Sequence, residues 1–298
     1  MLPGRKANPE DFISILRDYY KLFRFEHAIM LAVAVLIAEI ITLGWIPPME
    51  TIFFLSMLVP IFAEMGSFSL NDYLDVETDR INGRLERPLV KGTIAPRTAL
   101  YLSAICFAIS LIAGFLINEA AFIITIFFVV FAIAYNWKLK DLPLVGNVFI
   151  ATTMAIPFIF GGYVYSASPP TVIWDIALLG FIAGLAREIV KSVEDMKGDI
   201  KARKSKTLPV LVGRGPSLFI ASMLFLLFIP LTVVPFMGEL ALGFASGFFL
   251  FIADLSILIL SLYLLYARRD KTFSIVRKYS LGAFFCGLMA LLLASMGF

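Results

Sequence analysis

Apolar stretches separated by short polar breaks run along the whole chain. Nine of these stretches are about 20 residues long, the length that an α-helix needs to cross a lipid bilayer. They cover residues 25–45, 51–70, 98–117, 120–136, 146–166, 171–190, 217–237, 240–266 and 277–297. The pattern therefore predicts an all-α membrane protein with nine transmembrane helices.

The breaks between the stretches differ in charge. The N-terminal segment and every second break after it, with the adjoining helix ends, hold all 25 Lys and Arg residues. Because positively charged loops stay in the cytoplasm, the N-terminus is predicted to be cytoplasmic. An odd number of spans then places Phe298 outside. The regular alternation supports the count of nine, and we expect residues 1–298 to form one polytopic membrane domain.

Composition narrows the class of protein further. Hydrophobic residues make up 60% of the chain and charged residues 16%, with a mean hydropathy of +0.91. Soluble domains carry about 25% charged residues, so a water-soluble globule and a disordered chain are both excluded. The net charge of +3 is explained by membrane topology. No nucleic-acid-binding motif accompanies it, so nucleic acid is not an expected partner.

An acidic segment follows the second apolar stretch. Asn71, Asp75 and Asp79 are spaced four residues apart, which places them on one helix face with Asp72 beside them. Stacked carboxylates repel each other and need a compensating cation, and oxygen ligands of this kind suit Mg²⁺. A solvated acidic loop is the alternative interpretation of this segment.

A second acidic segment follows the sixth stretch. Asp195 and Asp199 again stand one helical turn apart, and Glu188 and Ser192 share their face. Both acidic segments follow an apolar stretch and lead into a basic loop, at positions about 120 residues apart. This recurrence predicts two four-helix pseudo-repeats plus one helix.

Basic residues follow each acidic segment. They are Arg80, Arg84, Arg87 and Lys91 after the first, and Lys197, Lys201, Arg203, Lys204 and Lys206 after the second. Acids interleaved with Arg and Lys favour a metal-bridged polyanion, and a diphosphate fits this pattern. Membrane topology and attraction to anionic lipids explain most of the basic residues equally well, so we expect only a few of them to contact substrate.

The two acidic segments resemble the signature motifs of the UbiA superfamily of intramembrane prenyltransferases. The motifs N-D-x-x-D-x-x-x-D and D-x-x-x-D are met by Asn71, Asp72, Asp75 and Asp79, and by Asp195 and Asp199. The resemblance extends over most of the chain and implies nine helices around a central cavity, with both motifs on the cytoplasmic side. It also implies two Mg²⁺ ions that hold an isoprenyl diphosphate, a lipid-facing tunnel for the prenyl tail, and transfer of the prenyl group to a lipophilic acceptor.

The resemblance also implies roles for individual residues. The expected catalytic residues are Asn71, Asp75, Asp79, Asp195 and Asp199, and the expected metal ligands are these five together with Asp72. Candidate contacts to the diphosphate or the acceptor are Arg84, Arg87, Tyr135, Lys140 and Lys191.

Two further charged residues follow from their place in the helices. Glu64 lies two helical turns before Asn71 on the same face, so it is predicted either to orient the acceptor or the prenyl cation, or to be a protonated structural residue. Arg24, at the start of the first stretch, is predicted either to contact a phosphate or, as is more common for such a residue, to extend to the lipid headgroups.

The acceptor is less well defined by the sequence. The second acidic segment is similar to that of archaeal digeranylgeranylglyceryl phosphate synthases, whose donor is geranylgeranyl diphosphate and whose acceptor is geranylgeranylglyceryl phosphate. Residues 23–27, Phe-Arg-Phe-Glu-His, instead resemble quinone-pathway members that prenylate 4-hydroxybenzoate. The surplus of cations favours the acceptor with a phosphate. A different class of protein, an ion-coupled transporter, is disfavoured because the acids lie at helix ends and not at the membrane midplane.

Overall fold

The structure, a computed structural model, describes residues 9–142, 144–203, 207–238, 240–266 and 270–298. Within these ranges the chain forms α-helices and two short 3₁₀ turns, without strands. The helices are α1 (Pro9–Phe23), α2 (Phe25–Leu43), α3 (Thr51–Ile81), α4 (Pro88–Lys91), α5 (Pro96–Ile117), α6 (Glu119–Trp137), α7 (Val145–Tyr165), α8 (Thr171–Arg203), α9 (Leu208–Val212), α10 (Arg214–Leu231), α11 (Phe244–Tyr266) and α12 (Asp270–Ser295).

Eight of the helices are long and apolar enough to cross a membrane. They are α2, α3, α5, α6, α7, α10, α11 and α12. The sixth predicted span coincides with α8, a helix of 33 residues that carries Asp175, Arg187 and Glu188 within that span. The protein is thus a multi-pass membrane protein with an all-helical fold over the described ranges.

Two helices continue well beyond their apolar stretches. α3 runs on to Ile81 and α8 to Arg203, so both acidic segments are helical. The alternative interpretation of the first segment as a solvated loop is therefore wrong. Asp72, Asp75 and Asp79 are instead among the buried residues of α3.

Four apolar clusters hold the long helices together. One is shared by α8, α10, α11 and α12, and includes the fully buried Phe225 and Ile257. A second joins α2, α7, α8 and α12, and two more fill the space among α2, α3, α5, α6 and α7. The helices that carry the two acidic segments, α3 and α8, therefore belong to different parts of one continuous bundle.

Small residues allow the closest helix approaches, as is common where helices pack within lipid. A Cβ atom added to Gly161 on α7 would lie 2.5 Å from the carbonyl oxygen of Val35 on α2. Between α5 and α3, the hydroxyls of Ser103 and Ser110 donate to the carbonyl oxygens of Gly66 and Val59 at 2.8 and 3.0 Å. These contacts fix α2, α3, α5 and α7 around a common space.

The first helix is amphipathic and lies beside the end of α3 and the short α4. Leu22 and Asp18 face inward, at 0% and 2% exposure, while Leu16 and Tyr20 face outward. Asp18 Oδ2 accepts a hydrogen bond from Lys91 Nζ at 3.2 Å. Although its burial acts to raise the pKa of Asp18, bonding to Thr93 and Lys91 and the positive charges of Lys91 and Lys21 lower it overall.

Candidate functional site

A polar cavity, referred to below as the acidic cavity, opens at the end of the bundle where α3 and α8 carry their acids. The empty space between its side chains, including the part open to solvent, is about 800 Å³. Nine of the twelve predicted site residues line it: Asn71, Asp75, Asp79, Arg84, Arg87, Tyr135, Lys140, Lys191 and Asp195. The structure therefore brings most of the predicted site together, from both acidic segments and from the loops between them.

Asn71 is held by a neighbouring amide that the sequence analysis missed. Its Nδ2 donates to Asp75 Oδ2 at 3.0 Å and to Asn136 Oδ1 at 2.9 Å. Asn136 is 2% exposed and donates in turn to the carbonyl oxygen of Ala132 at 3.0 Å. With its Nδ2 used in this way, Asn71 keeps its amide oxygen as the group able to bind a ligand in the cavity.

Arg84 joins the two acidic segments. Its Nη1 donates to Asp79 Oδ1 at 3.2 Å and its Nη2 donates to Asp195 Oδ1 at 2.7 Å. Burial on its own lowers the pKa of the Arg84 guanidinium, but the negative charges of Asp195 and Asp79 outweigh it and raise the pKa above its usual value. The two segments thus face each other across a gap that one guanidinium spans.

Arg87 is less exposed than Arg84, and among the described residues its ion pairs are with the first acidic segment. Its Nη1 is 2.5 Å from Asp72 Oδ1 and 2.9 Å from Asp79 Oδ2. Arg87 lines the acidic cavity, whereas Asp72 is 3% exposed and does not. In this structure Asp72 therefore binds basic side chains from outside the cavity lining, although the family motif includes it among the metal ligands.

Lys140 and Tyr135 enter the cavity from α6 and the turn that follows it. Lys140 lies in the 3₁₀ turn Leu139–Asp141, and its Nζ is 2.5 Å from Asp75 Oδ1. The ring of Tyr135 stacks on Phe149 with 4.9 Å between the ring centroids. The short loop after the fourth predicted span thus supplies a cation next to the first acidic segment, as the family resemblance implied.

The second acidic segment adds a polar wall made by α8 and α7. Lys191 Nζ donates to Glu188 Oε1 at 2.7 Å. Asn147 Nδ2 donates to Ser192 Oγ at 2.7 Å, and Ser192 donates to the carbonyl oxygen of Glu188 at 3.0 Å. Because these residues all line the cavity with Asp195, the predicted common face of Glu188, Ser192 and Asp195 is confirmed. Nothing in the sequence distinguished Asn147 from the other residues in the apolar stretches.

Arg24 lines the acidic cavity, so of its two predicted positions the one at the lipid headgroups is wrong. It is the residue before α2 and adopts left-handed backbone angles, φ 45° and ψ 53°. Its Nη2 donates to Asp72 Oδ1 at 3.0 Å, and its guanidinium lies over the ring of Phe68 at 4.1 Å from the centroid. A left-handed conformation is uncommon for a residue with a side chain, and here it turns the chain from α1 into α2 beside the site.

Two predicted residues remain, Glu64 and Asp199. Glu64 is half-buried on α3 and interacts with the charge of Arg24, but it does not line the acidic cavity. The backbone of Asp199 lies within α8, while its side chain is outside the described residues, as are those of Lys197, Lys201 and Arg203.

The cavity offers the ligand type that Mg²⁺ prefers, which is carboxylate and amide oxygen. One buried oxygen of Asp79, Oδ2, accepts no hydrogen bond of normal geometry from the described residues. Among those residues, no three His, Cys, Asp or Glu side chains lie close enough to form a ready-made metal site. The carboxylates of Asp75, Asp79 and Asp195 are instead paired with Arg or Lys. The donors fit a hard divalent ion, which would take oxygens that now pair with these basic groups.

An apolar cavity lies deeper in the bundle, beneath the acidic cavity. Its empty space, including the part open to the surroundings, is about 370 Å³. It is lined by Leu31, Val35, Val59, Pro60, Ala63, Ile124, Thr125, Phe128, Ile156, Pro157 and Phe160. These residues belong to α2, α3, α6 and α7. The acidic cavity is lined by Asn71, Tyr135 and Asn147 from α3, α6 and α7, and by Arg24, which directly precedes α2. On α2, Leu31 follows Arg24 by seven residues, which is roughly 10 Å of helical rise.

Several characterised relatives resemble this chain in sequence. The sequence profile of the UbiA prenyltransferase family matches residues 28–284. The digeranylgeranylglyceryl phosphate synthase of Methanopyrus kandleri is 33% identical, over 74% of this chain and 79% of that protein. Its counterpart from Archaeoglobus fulgidus is 31% identical over 78% of each chain, and that from Thermococcus gammatolerans is 29% identical over 86% of this chain and 90% of that protein.

Solved structures agree with the sequence relatives. A structure of digeranylgeranylglyceryl phosphate synthase aligns with a TM-score of 0.74 at 27% identity, covering 96% of this chain and 100% of that one. A UbiA homologue from Archaeoglobus fulgidus bound to GPP and Mg²⁺ aligns with a TM-score of 0.63 at 21% identity, over 91% of this chain and 99% of that one, which shows a shared fold. The resemblance seen in the two acidic segments is therefore confirmed, and the chain belongs to the UbiA prenyltransferase family.

Proposed function

We propose that this prenyltransferase catalyses Mg²⁺-dependent transfer of an isoprenyl group from geranylgeranyl diphosphate to geranylgeranylglyceryl phosphate. The observation that carries the proposal is the contact of Arg84 with Asp79 and Asp195. This contact brings acids and bases from both halves of the chain to one cavity that lies over an apolar one.

The acidic cavity would hold the diphosphate through its metal ions and its basic side chains. Oxygen ligands from the first segment, Asn71, Asp75 and Asp79, and from the second, Asp195 and Asp199, would hold two Mg²⁺ ions. When bound, these ions neutralise the negative charge on the leaving diphosphate. Arg84, Arg87 and Lys140 lie within the same cavity and can donate directly to the diphosphate oxygens.

The transfer requires little covalent chemistry from the protein itself. The bond between the allylic carbon and the diphosphate oxygen breaks, and an acceptor hydroxyl forms the new carbon–oxygen bond and loses its proton. Preformed positive groups stabilise the charge that develops on the leaving group. The apolar cavity, lined by residues such as Phe128 and Phe160, holds the prenyl tail and excludes water from the allylic cation.

Two observations favour an acceptor that carries a phosphate. The acidic cavity contains Arg24 and Lys191 in addition to the basic groups next to the first segment, so a second phosphate can find its own cations. The synthases related to this chain are also named for a glycerol phosphate product. Glu64 interacts with Arg24 and can orient that guanidinium toward the acceptor.

The charge distribution supports one orientation in the membrane. With α8 counted as a ninth span, the Lys and Arg residues of the described ranges fall on the side of the acidic cavity. By the positive-inside rule that side, with the N-terminus and the active site, faces the cytoplasm and Phe298 lies outside. Residues 1–298 then form one domain of two four-helix pseudo-repeats plus one helix.

The proposal is tested with purified protein in lipid nanodiscs. Geranylgeranyl diphosphate is supplied with either geranylgeranylglyceryl phosphate or 4-hydroxybenzoate, with Mg²⁺ or with EDTA, and products are identified by mass. We expect the glycerol phosphate product only with Mg²⁺. Product from 4-hydroxybenzoate alone would overturn the acceptor assignment, and equal product in EDTA would overturn the metal requirement.

Variants assign the site independently of the acceptor. Asp75→Ala and Asp195→Ala are expected to lose turnover while they remain folded. The matched control is Asp254→Asn, an acid on α11 that accepts a hydrogen bond from Thr232 Oγ1 at 3.0 Å, away from the cavity. Full activity of either Ala variant would remove that carboxylate from the site.

A further inference from the structure

The outward face of α1 carries a stripe of apolar side chains. Ile13, Leu16 and Tyr20 are 65%, 53% and 49% exposed, and their spacing of three and four residues places them on one side of the helix. The buried residues Asp18 and Leu22 lie on the opposite side, which packs on the bundle. Ile13, Leu16 and Tyr20 are called the outer stripe below. A contiguous exposed stripe of this kind marks a contact surface.

α1 lies at the level where its neighbouring helices enter the membrane. Its inner face shares an apolar cluster with Ala99, which is in the first turn of α5, close to residue 98, where the apolar stretch of that helix begins. At its other end, only Arg24 separates α1 from the membrane-spanning helix α2. Phe25, the first residue of α2, is 37% exposed, and its ring lies 6.2 Å from that of Tyr20 between centroids. The outer stripe is thus continuous with the exposed apolar surface of a spanning helix.

Two basic side chains border the outer stripe. Arg17 and Lys21 are both exposed, and they lie about 40° and 80° from Ile13 around the helix at 3.6 residues per turn. One exposed acid, Glu26, is close enough to Tyr20 to act on it, so the basic groups next to the stripe outnumber the acidic one. An apolar stripe beside Lys and Arg is typical of helices that lie in the headgroup region of anionic membranes.

The inner face of α1 holds the segment that carries two arginines of the acidic cavity. Asp18 Oδ2 accepts a hydrogen bond from Lys91 Nζ, the last residue of α4, at 3.2 Å. Arg87 directly precedes α4, and Arg84 lies three residues earlier; both line the acidic cavity. α1 therefore lies between its outer stripe and the segment that supplies these basic groups.

We infer that the outer stripe, with Arg17 and Lys21, binds the surface of the lipid bilayer on the side of the acidic cavity and prefers anionic phospholipid headgroups. The apolar side chains enter the boundary between headgroups and acyl chains, and the two basic side chains contact lipid phosphates. α1 then links the bilayer surface to the α4 segment. The inference concerns lipid contact alone and does not depend on the proposed reaction.

The test measures where the outer stripe lies by spin labelling of the full chain in lipid nanodiscs. A nitroxide is attached through Leu16→Cys in a protein that also carries Cys106→Ala and Cys286→Ala. Its collision rates with oxygen, which dissolves in lipid, and with a water-soluble nickel chelate are compared. The lipid reference is a label at Ile105→Cys on α5, where the parent residue is 55% exposed. The water reference is a label at Glu77→Cys, where the parent side chain is 76% exposed.

We expect the ratio of oxygen to chelate collisions at residue 16 to be at least threefold that at residue 77, and to approach that at residue 105. Tyr20→Cys places the label on the same stripe and gives a second measurement if Leu16→Cys lowers the yield of folded protein. A ratio equal to that at residue 77 would overturn the inference. Shielding from both reagents would also overturn it, since protein and not lipid would then cover the stripe.

The preference for anionic lipid is tested by changing headgroups and charges separately. Replacing one third of the phosphatidylcholine by phosphatidylglycerol should raise the collision ratio at residue 16 at least twofold. Arg17→Gln with Lys21→Gln should abolish this rise. The matched control, Lys138→Gln with Lys278→Gln, removes two exposed cations on α12 and at the end of α6 and should keep it. Equal ratios in the two lipid mixtures, or a rise that persists without Arg17 and Lys21, would overturn the preference. Because no substrate is present, these outcomes are independent of whether the proposed reaction occurs.

Discussion

Replacing Arg84 by Ala tests whether the link between the two acidic segments serves both folding and catalysis. The guanidinium makes charge-assisted bonds of 3.2 Å to Asp79 and 2.7 Å to Asp195, and its side chain is 30% exposed. Hydrogen bonds to charged groups contribute about 1.5–3 kcal/mol each, and partial exposure reduces this through solvent screening. We therefore expect Arg84→Ala to lower the free energy of unfolding by about 2 kcal/mol.

The same change is expected to slow the reaction. If Arg84 donates to the leaving diphosphate, its loss removes one preformed positive group from the transition state. A comparable loss of one such donor in other enzymes costs about 10²–10³ in kcat. Arg84→Lys keeps the charge but loses the two-pronged geometry, so it should fall between the parent and the Ala variant.

Arg80→Ala is the matched control for Arg84→Ala. Arg80 lies in the last turn of α3, four residues before Arg84, and pairs with Glu77 at 2.6 Å, but both side chains are more than half exposed. Pairs of this kind contribute about 0–1 kcal/mol, and Arg80 does not line the acidic cavity.

The two variants are compared in the same detergent by thermal unfolding at one scan rate and by kcat/KM. For a chain of this size, about 2 kcal/mol corresponds to a fall in Tm of roughly 3 °C. Equal Tm and equal kcat/KM for Arg84→Ala, Arg80→Ala and the parent would refute the role of the link. A change in Tm without a change in kcat/KM would restrict Arg84 to stability.

Three further predictions concern residues around the site. Asn136→Ala removes an acceptor that holds the candidate metal ligand Asn71, so kcat/KM should fall at least tenfold while Tm falls by only a few degrees. The pKa of Asp18 is lowered in the folded protein, so its pairing stabilises the fold at pH values above the unfolded-state pKa of about 4. This stabilisation is lost as the pH falls through the folded-state pKa. Asp18→Asn should therefore lower Tm at pH 7 and have little effect at pH 2. Gly161→Ala should lower Tm by several degrees through its clash with α2, whereas Gly282→Ala, with nothing within 4 Å of the added Cβ, should not.

Much of the acidic cavity could be predicted because its chemistry follows helical spacing. Asn71, Asp75 and Asp79 recur every four residues, so any helix that continues through them must place them on one face. The apolar runs stop at residues 70 and 190, while the helices continue to Ile81 and Arg203. α3 and α8 can extend past their apolar runs since the polar faces beyond them line a cavity.

The residues whose place was missed or left open depend on geometry that one sequence does not carry. Arg24 reaches the cavity only because the chain takes left-handed angles before α2, and such a turn has no signature at a non-glycine residue. Asn136 and Asn147 are neutral residues within or next to apolar runs. Their importance arises from the side chains that pack opposite them, Asn71 and Ser192, which are distant in sequence.

The pairing of charges in the cavity bears on how substrate and metal would bind. Asp75 pairs with Lys140, Asp79 and Asp195 pair with Arg84, and Glu188 pairs with Lys191, so the site is nearly charge-balanced by itself. A metal ion alone would have to displace cations from the carboxylates and leave them unpaired, which is costly for partly buried groups. A diphosphate alone would likewise draw the basic groups away from the acids and leave the carboxylates unpaired. When both bind together, the acids can exchange their basic partners for the metal while those basic groups turn to the diphosphate. The arrangement therefore favours joint binding of metal and diphosphate over binding of either one alone.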